Sequence, residues 1–292
     1  MAPSPTEPTE PPTPPLTPGP LLTGKVAVVT GGGGGIGRAT SEIFAAHGAS
    51  VVVVEHDAER SQQTIDAIHR AGGNATAMVA DVRDADIGPR VTDHTRSTFG
   101  RIDVLVNNVG HFVFAGRPFV ESTEDQWHEL YAVNLGHVLR MTHAVLPVMI
   151  DQGDGGSIIN LTTVEAFRGI PQHPVYAAFK AAVTQFGKSL ALDVGRHGIR
   201  VNDIAPDVTQ SEQLRYDRWL TPDDQQRIPT WVPIGRLGQP QDPAGAALFL
   251  ASDLGAFVTG TTIHCDGGTH AAGGWYRSAA DDRGWTNRPR DP

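Results

Sequence analysis

The chain has 292 residues, 39% of them hydrophobic and 33 of them glycine, with a formal net charge of −9. That is apolar material for one large α/β domain or two small ones, and the acidic balance argues against nucleic acid or an anionic membrane surface as the main partner. A single cysteine, Cys265, excludes an internal disulfide and a cysteine-based zinc site, and the twelve histidines show no paired metal-ligand spacing.

Residues 1–22 are expected to be a disordered extension. Nine of the 22 prolines fall in the first twenty positions, among Thr, Ser and Glu, and such a segment buries too little apolar surface to offset its ordering entropy. From Lys25 onward, short apolar runs alternate with longer amphipathic stretches. The runs are Val26 to Val29, Val51 to Val54, Ala77 to Ala80, Ile102 to Val106, Ser157 to Leu161, Ile199 to Ile204 and Thr261 to His264. They are rich in Val and Ile without polar alternation, the pattern of strands buried on both faces of a parallel sheet. Between them Ile36, Ala39, Ile43 and Ala46 recur at helical spacing, as do Val183, Phe186, Leu190 and Val194. The alternation predicts one α/β domain over residues 23–270, a doubly wound parallel sheet with helices on both faces. Residues 271–292 form a polar tail. Its Trp275, Tyr276 and Trp285 carry enough apolar area to pack on the body, on a neighbouring subunit or over a cleft. No apolar run reaches the ~18 residues of a membrane span, and no basic-then-apolar leader opens the chain, so a cytoplasmic protein is expected.

Three groups of residues carry chemistry. Thr30 ends the first run, and Gly31 to Gly35 lead through Ile36 and Gly37 into a helix. Such a turn lets backbone N–H groups and a helix N-terminus meet a pyrophosphate with no Cβ in the way. A flexible linker is the alternative; the buried strand before and the amphipathic helix after favour the dinucleotide loop. Glu55 closes the second run, 18 residues past Gly37. A carboxylate there accepts hydrogen bonds from the adenosine ribose hydroxyls and repels a 2′-phosphate, which favours NAD over NADP, a solvated strand-end acid being the plainer alternative. Tyr176 and Lys180 stand four residues apart on one helix face, and a nearby ammonium lowers a phenol pKa from about 10 toward use as a base. Lysine is scarce, three of 23 basic residues, so its place here stands out.

From about Lys25 to Gly268 these motifs together resemble the short-chain dehydrogenase/reductase family in its single-domain, Rossmann-fold form. Thr30, Gly31, Gly35 and Gly37 match its cofactor loop, and Asp81, followed by Val82, its adenine-contacting acid. Asn107-Asn108-Val109-Gly110 matches its Asn-Asn-Ala-Gly segment, Asn134 its active-site asparagine, and Tyr176 with Lys180 its Tyr-x-x-x-Lys pair. Pro233 to Pro240, Val258-Thr259-Gly260 and Asp266-Gly267-Gly268 follow in the family's order. The resemblance implies NAD as cofactor, contacted by Gly31, Gly35, Ile36, Gly37, Glu55, Asp81, Val82, Asn108, Gly110, Pro206, Val208 and Ser211, with Tyr176 and Lys180 reaching the nicotinamide side. Tyr176 would exchange a proton with the substrate, Lys180 lower its pKa, Thr163 position the substrate oxygen, and Asn134 support a water linking Lys180 to solvent. No metal is implied; a homotetramer is.

Two departures from the family pattern stand beside this. Thr163 occupies the usual serine position, keeping the hydroxyl while its methyl narrows the pocket. Asp207 replaces the glycine after Pro206; its carboxylate either favours the positively charged oxidised ring or points into solvent. A further, milder change is Ser211, a hydroxyl-for-hydroxyl replacement of the family's threonine. The segments expected to form the substrate pocket hold His111, Phe112, Phe114, Glu165, Phe167, His173, Leu214, Tyr216, Trp219 and Trp231. They suggest a bulky, largely apolar secondary alcohol or ketone such as a steroid, terpenoid or cyclic alcohol. The alternatives are a 3-oxoacyl-thioester reductase, against which Glu55 and the negative charge count, and a non-catalytic dinucleotide sensor, against which Tyr176, Lys180 and Asn134 count.

Overall fold

The structure is a computed structural model that describes residues 19–274, 276–277 and 285–286. The proline-rich segment up to residue 18, Trp275 and the remainder of the tail lie outside the described residues.

Seven strands form one parallel sheet: β1 (Val26–Thr30), β2 (Ser50–Glu55), β3 (Asn74–Val79), β4 (Val104–Asn107), β5 (Gly156–Leu161), β6 (Ile199–Pro206) and β7 (Thr262–Cys265). Their spatial order is β3-β2-β1-β4-β5-β6-β7. Successive strand residues face opposite sides, so each Val/Ile run feeds two cores. Val29, Val51, Val53, Val106 and Ile159 pack on one side with Phe44, Ile65, Ile68 and Leu250. Val28, Val52, Val54, Leu105 and Ile158 pack on the other with Ile87, Val91, Met141, Met149 and Val194. The expected doubly wound sheet is the one observed.

The helices supplying those partners are α1 (Gly35–Ala46), α2 (Ala58–Arg70), α3 (Ile87–Phe99), α4 (Glu124–Tyr131), α5 (His137–Gln152), α6 (Pro174–Val194), α7 (Tyr216–Trp219), α8 (Pro222–Trp231), α9 (Gln241–Ala251) and α10 (Thr269–Ala272). α4 starts on a capping box formed by Thr123 and Gln126 and runs into α5 through a π turn, Ala132–Gly136. α7 and α8 form in the stretch that carries Tyr216, Trp219 and Trp231, three of the residues expected in the substrate pocket. Runs and strands differ by a few residues at β3, which begins at Asn74, and at β7, which ends at Cys265. Both are edge strands, where burial constrains the pattern least. In the tail, β8 (Tyr276–Arg277) pairs antiparallel with β9 (Trp285–Thr286), and β8 packs against α8. The strand order reverses between β1 and β4, and at such a switch the carboxyl ends of the strands open a crevice.

Candidate active site

At that crevice β1 hands over to α1 through the glycine turn. The N-cap of α1 is Gly34, which offers no side-chain cap, and the first helical turn holds no acid. Its amide donors are therefore free to take an anion. Gly37 packs face to face with the turn, where an added Cβ would collide with the Gly31 carbonyl. Thr30 and Asn108 join the two sides of the crevice: Thr30 Oγ1 accepts from Asn108 N at 2.9 Å, and Asn108 Nδ2 donates to Thr30 O at 2.9 Å. Glu55, buried at the end of β2, accepts from the N–H groups of Gly33, His56 and Asp57 at 3.2, 3.0 and 3.2 Å. His56 Nδ1 lies 2.7 Å from its carboxylate.

A cleft of about 580 Å³ runs along these residues. It brings together Gly31, Gly35, Ile36, Glu55, Asp81, Val82, Asn108, Gly110 and Ser211, nine of the positions expected to hold the cofactor. Gly37 supports the turn from behind, and Pro206 and Val208 lie at the end of β6 and just after it. Glycine amides for a pyrophosphate and an acid beyond β2 for a ribose are the donor set a dinucleotide requires, so the residues fit one. Three cleft residues were not singled out from the sequence. Arg83 grips Asp81 at 2.7 Å and holds its carboxyl below the usual carboxylate range. Arg60 pairs with Asp57 at 3.2 Å. Glu212 places its carboxylate beside Gly34 and Gly35. Each is one contact removed from a recognisable motif, so no spacing announces it.

α6 begins with Pro174 at its first turn and places Tyr176 and Lys180 on the face turned into the protein. Both are buried. Lys180 Nζ donates to Leu161 O at 2.9 Å and lies 6.0 Å from the Tyr176 ring centroid. Burial pulls the lysine down to about 8, against the attraction of Asp203. The Tyr176 phenol is pushed well above its usual value by burial first and by Glu165 second, while a hydrogen bond with Thr163 offsets part of the rise. In the protein alone the net displacement of the phenol is therefore upward. The desolvation of the pair outweighs the attraction at that separation.

Thr163 caps the turn after β5. Its Oγ1 accepts from Glu165 N at 3.3 Å and donates to Pro206 O at 3.5 Å. Asn134 sits in the π turn, an irregularity frequent at functional sites. It donates to His111 O and Leu130 O at 2.9 and 3.0 Å and accepts from His111 N at 3.0 Å, so it fastens the segment after β4. Gly110 must lack a Cβ, which would collide with Lys180 Nζ and lie 3.2 Å from Asn134 Oδ1. His137, absent from the sequence reading, contacts Val109 O at 3.0 Å through Nε2, and burial holds it down to about 3, hence neutral. Beneath the site Asn107, Asn160 and Asp203 form a buried ladder at 3.0 Å per step, and burial lifts Asp203 to about 7.

The expected substrate-side residues separate into groups. Phe112, Phe114 and His173 line a small cavity of about 40 Å³ with Tyr176, joined by Phe119 and Trp127. The Phe112 ring lies 4.4 Å from Tyr176 and 4.7 Å from His173. Phe167 instead packs on His264 at 4.7 Å, and Tyr216 meets Trp219 at 6.0 Å. Asp207 neither points into solvent nor stands free toward a ring: Arg168 Nη2 holds it at 2.7 Å and Thr269 Oγ1 at 2.5 Å. Among the described residues no cluster of His, Cys, Asp and Glu suits a metal ion, and no helix is long and apolar enough to cross a membrane.

A parallel sheet of this order, a glycine turn at its switch point and a buried Tyr-Lys pair beside Thr163 and Asn134 define a dinucleotide-dependent oxidoreductase site. A family model described as enoyl-(acyl carrier protein) reductase matches residues 31–270. The chain is 36% identical to 3beta-hydroxysteroid dehydrogenase 1 of Eggerthella lenta, over 85% of this chain and 94% of that one. It is also 36% identical to the 3-oxoacyl-[acyl-carrier-protein] reductase FabG of Escherichia coli, over 85% and 98%. A solved 7α-hydroxysteroid dehydrogenase, in complex with NADH and 7-oxo glycochenodeoxycholic acid, superposes with a TM-score of 0.79 at 35% identity, covering 85% and 94%. The chain belongs to the short-chain dehydrogenase/reductase family and is an oxidoreductase of that family.

Proposed function

We propose that this chain is an NAD-dependent dehydrogenase acting on a bulky, largely apolar secondary alcohol or the corresponding ketone. The observation that carries the reading is the convergence of Tyr176, Thr163 and Lys180, with Lys180 packed against Gly110, a residue that lines the same cleft as Glu55. NAD is favoured over NADP by the Glu55 carboxylate, fixed by three backbone donors. A nicotinamide cofactor supplies the two-electron hydride carrier and, when oxidised, a positive charge. The rest is done by the chain's side chains. Thr163 and Tyr176 hydroxyls hydrogen-bond the substrate oxygen, and Tyr176 donates its proton to a carbonyl or accepts one from an alcohol. In the protein alone the phenol is neutral, the form that donates. Lys180, buried and still cationic near neutral pH, favours the phenolate form that accepts.

Phe112, Phe114 and Trp127 beside Tyr176 support an apolar substrate, and the hydroxysteroid dehydrogenases among the relatives agree with that class. A 3-oxoacyl-thioester reductase is the second reading, favoured by the FabG match and by the description of the family model. A homotetramer is proposed as well. It is supported by the groove that Leu139, Leu146, Pro147, Phe186 and Leu190 leave open on α5 and α6 and by the fully exposed Phe257. The proposed boundaries are residues 23–270 for the catalytic domain, in a cytoplasmic protein. A panel of secondary alcohols with NAD and with NADP tests the reading. Reduction of NAD by a cyclic or steroidal alcohol is expected; turnover of acyl thioesters alone, with NADPH, would replace it with the second.

A further inference from the structure

Three charged side chains meet where the carboxyl ends of β5 and β6 come together. Arg168 Nη2 lies 2.9 Å from Glu165 Oε1 and 2.7 Å from Asp207 Oδ2, and Arg168 Nε lies 3.3 Å from Glu165 Oε2. Both carboxylates are largely shielded, with side-chain exposures of 12% and 11%, while the arginine is 37% exposed. A shielded carboxylate needs its lone pairs filled, and those of Asp207 are. Its second oxygen accepts from Val208 N at 2.9 Å, and the first also accepts from Thr269 Oγ1 at 2.5 Å. Val208 has φ +33, a backbone setting a β-branched residue adopts only when its surroundings impose it. Asp207 and the Val208 carbonyl, which accepts from Gly238 N at 3.1 Å, hold it there.

Glu165 belongs to the turn capped by Thr163, and Asp207 opens the segment that leads to Ser211. We infer that Arg168 is a positioning residue: by gripping Glu165 and Asp207 together it ties the Thr163 turn to the Ser211 segment and balances Glu165, the carboxylate that acts on Tyr176. The substrate-oxygen side and the cofactor side of the site are then set as one piece. This rests on the dehydrogenase reading for its catalytic consequence, but not for the tie itself.

The charge balance matters because few groups surround the phenol. On its own helix stands Lys180, with His173 at the helix N-cap; after β5 come Glu165 and, through it, Arg168. Asp207 acts with Glu165 on the neighbouring Tyr216 of α7, which burial first and then these two carboxylates push up to about 12. His111 in the segment after β4 and His137 on α5 are held below the usual histidine range by burial. Removing Arg168 leaves two uncompensated carboxylates and no new cation.

Hydrogen exchange and pH–rate profiles of R168M and R168K test this. In R168M the amides of Glu165 to Phe167 and of Val208 to Ser211 are expected to exchange about tenfold faster together, with the sheet core unchanged. The acid limb of kcat/KM for alcohol oxidation is expected to move up by about half to one pH unit, because the phenolate now forms against an unpaired Glu165 carboxylate. R168K, which keeps the charge without the bidentate fork, is expected to return the limb most of the way while the exchange stays partly raised. Faster exchange in one segment alone, or in neither, overturns the tie. A lower rate with an unmoved limb overturns the charge balance. Loss of all NAD-dependent turnover in the unmodified enzyme would refute the dehydrogenase reading and leave the exchange result to decide the tie.

Discussion

Lys180 is held in the protein at a thermodynamic cost, and removing it exposes that cost. Its pKa falls from an ordinary 10.5 to about 8 on burial. At about 1.4 kcal/mol per pH unit the folded state disfavours the charged lysine by roughly 3 kcal/mol. The sign follows from proton counts. Between pH 8 and 10.5 the unfolded chain binds the extra proton, so the wild type gains stability as pH rises through that window. Below pH 8 the full penalty stands. Asp203 runs the other way, since its folded pKa is raised to about 7 and the stability its proton brings is lost as pH rises through that value. At pH 6 Asp203 is protonated in both folded proteins, so its contribution largely cancels between them and the lysine penalty sets the difference. Lys180→Met keeps the volume and removes the charge, but it strands the Leu161 carbonyl that accepts from Nζ at 2.9 Å, costing about 1–2 kcal/mol. The net expectation at pH 6 is a variant about 1–2 kcal/mol more stable, or about 2–6 °C higher in Tm, and without catalytic activity. The gain should shrink as pH rises past 8, where the lysine penalty fades while an uncompensated Asp203 carboxylate stays buried. Thermal unfolding of both proteins at one concentration from pH 6 to 10 reads it. A variant less stable at pH 6, or a difference that does not change with pH, would refute the reasoning.

Glu55→Gln keeps the shape of the side chain held by Gly33, His56 and Asp57 but removes its charge. The unmodified protein is expected to bind NAD at least about tenfold more tightly than NADP in a fluorescence titration, and the variant to lose most of that preference. Thr163→Ser should stay within a few-fold of the original rate while Thr163→Val loses about a hundredfold or more, because only the hydroxyl positions the substrate oxygen; equal rates for the two would remove Thr163 from the mechanism. Gly110→Ala drives a methyl into Lys180 Nζ, so kcat should drop at least about tenfold with an unchanged far-UV spectrum.

The fold was readable because each strand is a single continuous run. Val51 to Val54 serves both cores at once, which leaves no ambiguity of face. The residues that line the cleft were readable because the turn, Glu55 and Asp81 each lie at or just past a strand end. What stayed hidden depends on residues brought together from afar. Arg168 and Asp207 are 39 positions apart, so neither spacing nor residue type announced their pairing, and Asp207 alone suggested a free carboxylate. The burial of Tyr176 is hidden for a related reason. Helical spacing places Lys180 on its face, but burial and the distance to the ring are tertiary facts. The π turn that aims Asn134 likewise leaves no periodic signature.

The central claim is that Tyr176 exchanges the substrate proton in an NAD-dependent oxidation. It is tested most directly by comparing the unmodified protein with Tyr176→Phe in both cofactor binding and turnover of a secondary alcohol. The account predicts an NAD dissociation constant within about threefold of the original and a turnover reduced at least about a thousandfold. A Tyr176→Phe enzyme that reduces NAD at a rate close to the unmodified protein would contradict it.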